Sequence, residues 1–131
     1  ATMPTDALAR FHVAMKEMEA YGFDKVSAEQ WELGQKVRAL FASKGFTSVA
    51  AKGFEAPGVV VHYTDDEGIH KGTLFTKLGL QTAAGVPLQC DEPKDFKTFR
   101  IGLFGMDKLG NIPRTLNHLE NALEQIPRSA T

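Results

Sequence analysis

The apolar residues of this 131-residue chain change period twice. In residues 4–44 they recur at intervals of three and four. From 46 to 103 they run in short β-branched and aromatic groups, and after Asn111 the helical spacing returns. The expected order is helix, helix, strand, strand, helix, strand, strand, helix. This reads as α+β: a small, mostly antiparallel β-sheet with helices on one face, preceded by a long first helix.

In "PTDALARFHVAMKEMEAYG" the stripe is Leu8, Phe11, Met15 and Met18. Thr5 or Asp6 is placed to cap the start and Gly22 to stop the helix. Such a stripe of Met and Phe is packing surface. A second helix is expected over 24–44, with Val26, Leu33, Val37, Leu40 and Phe41 inward and Gly45 just past its end. Trp31 lies off that stripe, as an anchor for another domain or a partly exposed ring.

"FTSVA" (46–50) and "GVVVHYT" (58–64) read as strands joined by turn residues Gly53, Pro57 and Gly58. Residues 65–79 read as one helix, weakened by Gly68 and Gly72 at about 1 kcal/mol each relative to Ala. "LQTAAG" is a short strand, 86–95 a loop, and "KTFRIGLFG" the last strand. Asn111, Ile112 and Pro113 open a final helix with Ile112, Leu116, Leu119, Leu123 and Ile126 on one side. No internal repeat or low-complexity run interrupts this pattern.

The formal net charge is −1 and no basic block occurs, so nothing in the charge calls for nucleic acid or an anionic membrane. No apolar stretch approaches the roughly 20 residues of a membrane span. The single cysteine, Cys90, forms no internal disulfide, which makes a reducing cytoplasm the default compartment. The N-terminus lacks a secretory pattern and does not begin with Met, as in a trimmed or excised chain.

No complete catalytic or metal motif is present. His12, His62, His70 and His118 have no second ligand at metal spacing and read as surface or helix-face residues. Cys90 reads as a buried, inert thiol, and "DDE" (65–67) as charge at a helix N-terminus rather than a calcium loop. "GLFG" is too short for a dinucleotide fingerprint. Arg100 stands apart. Phe99, Ile101 and Leu103 alternate as one strand face, and Arg100 points the other way. It is either a structural arginine that snorkels out or pairs with a carboxylate such as Asp91, Glu92 or Asp107, or an anion receptor whose planar fork grips a carboxylate. Gly102, two residues on and on the same face, leaves room for a ligand or another backbone.

"GVVVHYTDDEG", "GLQTAAGVPLQCDEP" and "FKTFRIGLFGMDKL" together resemble the C-terminal segment of class V aminotransferases. These are fold-type I, pyridoxal-phosphate-dependent enzymes, and the nearest branch is the alanine–glyoxylate and serine–glyoxylate aminotransferases. The similarity runs from about Pro4 to Ile126, and "FRIGLFG" is a form of the family's R-I-G-x-x-G strand. The resemblance implies a helix at 1–22 leading from a large domain, a small domain at 23–127, and a tail at 128–131. It implies that Arg100 binds the α-carboxylate of an amino acid or 2-oxo acid, and that the complete enzyme is a homodimer. The Schiff-base lysine, the acid against the pyridine nitrogen and the phosphate site belong to the family's large domain. This segment is therefore expected to hold no pyridoxal 5'-phosphate and to be inactive alone. Two other readings stand beside this one: a self-contained module binding a small carboxylate, and a structural or dimerisation domain whose arginine is paired internally.

Overall fold

The computed structural model describes residues 2–126; Pro127 and the expected tail at 128–131 lie outside them. Two helices come first, α1 (Thr5–Tyr21) and α2 (Phe23–Ser43). Gly22 alone separates them, at a φ of 102° that disfavours any other residue, and its N–H bonds the Met18 carbonyl to end α1. The side-chain cap expected from Thr5 or Asp6 does not form. Pro4 holds the N-cap position and its ring offers no acceptor, while Asp6 lies in the first turn where its charge suits the helix dipole.

The sheet has three strands, β1 (Val59–Tyr63), β2 (Ala83–Ala84) and β3 (Thr98–Gly102), in the order β1-β3-β2. Both pairs are antiparallel, so β3 is the central strand. Residues 46–50 fall short of the expected strand. The pairing is one bridge, Ser48 to His62, made by Val49 N–H to the Val61 carbonyl and Tyr63 N–H to the Thr47 carbonyl, and just beyond it the Ser48 hydroxyl accepts from Ala50 N–H in a local turn.

The single helix expected over 65–79 is two, α3 (Glu67–His70) and α4 (Thr73–Lys77). Gly72, at φ 74°, breaks them apart. Asp66 caps α3 by accepting from Ile69 N–H at 2.9 Å, the role its acidic run suggested. A short helix α5 (Met106–Leu109), too brief to leave a periodic signal, precedes α6 (Ile112–Gln125). Asn111 caps α6 through its side chain, with Pro113 in the first turn.

The core lies on one face of the sheet. Val60, His62, Phe99 and Ile101 point into it and meet Leu33, Val37 and Phe41 of α2, Ile69 of α3 and Phe75 of α4. α6 adds Leu119 and Leu123. On the other face Val59, Val61, Tyr63, Arg100 and Gly102 are half-buried or exposed, and Thr98 at its end is buried. The fold is thus α+β with helices on one side of a small antiparallel sheet. α1 stands apart from the core and buries no residue.

His62 departs from the expected surface placement. Strand alternation turns it inward, where it is 1% exposed and its ring stacks on Phe41 with centroids 4.7 Å apart. Burial, reinforced by the positive charge of Arg38, lowers its pKa from 6.5 to about 4, so the core imidazole is neutral. Among the described residues no helix is long and apolar enough to cross a membrane.

Candidate functional site

Arg100 occupies the middle of the central strand. Its register partners are Val61 on β1 and Ala83 on β2. Phe99 and Ile101 on either side of it are buried in the core, so the pleat sends the Arg100 side chain to the open face. There its Nε donates to the Ala84 carbonyl at 3.1 Å. That bond commits one of the guanidinium's five donors and fixes the plane of the group. The two terminal nitrogens remain as an end-on pair for a carboxylate.

Among the described residues Arg100 forms no ion pair. Of the carboxylates considered as internal partners, Asp107 pairs with Arg114 at 2.7 Å. Glu92 accepts from the backbone N–H groups of Cys90 and Gln89, which holds its pKa down at about 2. Asp91 makes no bond to Arg100 and sits at φ 63° in the same loop.

A small polar cluster sets the carbonyl that aims Arg100. A Cβ on Gly85 would lie 2.1 Å from the Thr98 carbonyl oxygen, so only glycine lets the end of β2 approach β3 this closely. Gly85 N–H donates to the His70 carbonyl at 3.2 Å, and His70 Nδ1 lies 2.7 Å from the Thr98 carbonyl. These contacts hold β2 in register and with it Ala84. The sequence reading missed Ala84 and Gly85. The signal was the small-residue run Ala83-Ala84-Gly85, which marks a close approach of backbones.

The space expected beside Gly102 is filled. A Cβ there would meet the Phe104 ring at 3.0 Å, and one on Gly58 would meet the same ring at 3.0 Å. The two glycines form a shelf for Phe104, and because residue 102 shares the face of residue 100, the ring lies on Arg100's side of the sheet. Its outer surface remains open to solvent. The notch expected beside Gly102 is therefore occupied by an aromatic ring.

Other expected features fall elsewhere. Cys90 is exposed, not buried, because its loop places the backbone N–H groups against Glu92 and leaves the thiol outward. His12 and His118 are exposed, as expected. Among the described residues no group of three His, Cys, Asp or Glu is placed to hold a metal ion. Every lysine is exposed or half-buried, and several face carboxylates, as Lys71 and Lys97 do with Glu67. A Schiff-base lysine requires a desolvated setting, so the described residues do not fit pyridoxal 5'-phosphate.

No family model and no curated protein matches the chain. Among solved structures it is similar to an aspartate aminotransferase of subgroup IV from Thermus thermophilus. The TM-score is 0.51 at 18% identity, over 75% of this chain and 27% of that one. At that identity the likeness is one of fold: an aminotransferase-like small α+β domain, spanning 27% of the length of the enzyme it matches.

Proposed function

We propose that this chain is the C-terminal small domain of a class V, fold-type I aminotransferase of the alanine–glyoxylate or serine–glyoxylate type, and that Arg100 binds the substrate α-carboxylate. The observation that carries the reading is the state of Arg100. It is half-buried on the central strand, held by a neutral carbonyl, and unmatched by any carboxylate among the described residues. A guanidinium aimed and left without an anion is suited to receive one.

In this reading residues 1–22 lead from a large domain and 23–127 form the small one. The large domain carries the pyridoxal 5'-phosphate, which supplies the electron sink for amino transfer. The small domain contributes positioning. The strand fixes where Arg100 starts, and the Ala84 carbonyl restrains its rotation, so little side-chain entropy is lost when the carboxylate docks. The working enzyme is a cytoplasmic homodimer whose partner subunit completes the cleft, and the segment alone is inactive.

The test is amino transfer from alanine to glyoxylate by the enzyme that contains this domain. Arg100→Ala should lower kcat/KM by roughly one to two decades, since a bond to a charged group is worth about 1.5–3 kcal/mol. Arg100→Lys should recover only part, because one ammonium cannot copy the fork. Wild-type kcat/KM in Arg100→Ala would refute the assignment.

A further inference from the structure

A pocket of about 320 Å³ opens between the end of β3, α5, α6 and the segment before β2, and Arg100 is not among the residues that line it. Its size is at the lower end of the range for small-ligand sites, roughly 300–1,000 Å³. Leu80, Ile101, Leu103 and Leu119 give it an apolar floor.

The rim is charged and unevenly balanced. Arg114 and Asp107 both line it, and they neutralise each other through a bond of 2.7 Å. Arg114 holds the Asp107 carboxyl below its ordinary pKa, so that pair stays ionised. Lys108, on the turn of α5 beside them, makes no such bond, although its charge also acts on the Asp107 carboxylate. Its ammonium donates to the Phe104 carbonyl at 2.9 Å, and among the described residues it faces no carboxylate within ion-pair distance. His118 stands on the same rim and makes no hydrogen bond to a described residue. The pocket thus combines an oily floor with one surplus positive charge and an imidazole edge.

We infer that this pocket binds a small amphipathic monocarboxylate, an apolar chain or ring with its carboxylate on Lys108 and its body against Leu80 and Leu119. A single negative charge matches the one surplus positive charge of the rim, Lys108 and Arg114 against Asp107. A phosphate monoester would carry more charge than the rim can offset, and a neutral apolar molecule would leave Lys108 unanswered. The inference is independent of the reading of Arg100.

Titration of the chain with octanoate, followed by backbone and methyl NMR, tests this. The expected result is saturable binding that shifts Leu80, Lys108 and Leu119, with 1-octanol at least roughly tenfold weaker, the value of one charge-assisted bond. Lys108→Met keeps the apolar stem and should bring octanoate down to the level of 1-octanol, with an unchanged circular dichroism spectrum. Arg100→Ala should leave these shifts in place, which separates this pocket from carboxylate binding on the open face. Absence of saturable binding, equal affinity for 1-octanol, full octanoate affinity in Lys108→Met, or shifts confined to Ala83, Ala84 and Arg100 would each overturn the inference.

Discussion

The Nε of Arg100 donates to the carbonyl oxygen of Ala84 across the β3–β2 pair, at 3.1 Å. The bond runs from a charged side chain to a neutral backbone group of a strand only two residues long. β2 therefore has a role out of proportion to its size: it is the brace that sets the direction of the one cation on the open face of the central strand.

Gly85→Ala should disturb that brace. The added methyl would sit 2.1 Å from the Thr98 carbonyl and 2.5 Å from the Thr98 hydroxyl, both on β3. Backbone cannot yield as a side-chain tip can, so β2 must move. Overpacking of this kind costs about 1–3 kcal/mol. Urea unfolding should show the loss, and NMR should show altered Ala84 and Arg100 signals. Unchanged stability together with unchanged Arg100 signals would contradict the proposed bracing.

His62 makes acid stability a readout of the core. Its folded-state pKa is about 4 against an ordinary 6.5. The unfolded chain therefore takes up the proton first as pH falls. The stabilisation is complete above the ordinary value and is lost progressively between 6.5 and 4. The loss amounts to about 3 kcal/mol at full effect, using 1.36 kcal/mol per pH unit. Glu67 and Glu92, both lowered to about 2, act in a different window, from 4.5 downward. Unfolding free energies measured at about pH 7 and about pH 5.5 report the histidine before the glutamates contribute. His62→Phe keeps the stack on Phe41 and should flatten the dependence; a wild-type curve already flat over this range would contradict the assignment.

Gly34→Ala should run against helix propensity. In an exposed helix interior the change gains about 1 kcal/mol. Here the methyl would lie 2.7 Å from the Pro57 carbonyl oxygen and 3.0 Å from its Cα. Gly34 is where α2 touches the chain entering β1, and neither backbone has slack. A lower melting temperature is expected, and a higher one would show that the approach is looser than described.

α1 should drive self-association of the isolated chain. Leu8, Phe11 and Met15 are each about half exposed or more, on one side of a helix with no buried residue. Such patches tend to pair in solution. Light scattering over a concentration series should report dimers or larger species, and Phe11→Asp should shift the population toward monomer. A strictly monomeric wild-type chain would refute this.

Much of this molecule was legible along the chain, because periodicity is a local property. The 3.6 spacing located α1, α2 and α6, and the alternation around Arg100 located β3 and told which way its side chains leave. What the tertiary structure decided was contact between distant segments. The sequence alone could not say that residues 46–50 would pair with β1 at a single bridge, or that Gly72 would split a helix in two. Nor could it say that Cys90 would face outward, since loop exposure depends on what the loop packs against. His62 has no local mark of burial; it is inside because β1 pairs with β3 in a register that puts it opposite Phe99. The same limit applies at Arg100. Its face followed from two neighbours in the sequence, but its brace is a carbonyl 16 positions away. The Phe104 ring rests on glycines from two different strand ends. Local steric preference is written in each residue and the next few. Which backbone comes within hydrogen-bond reach of which side chain is settled only when the whole chain has packed.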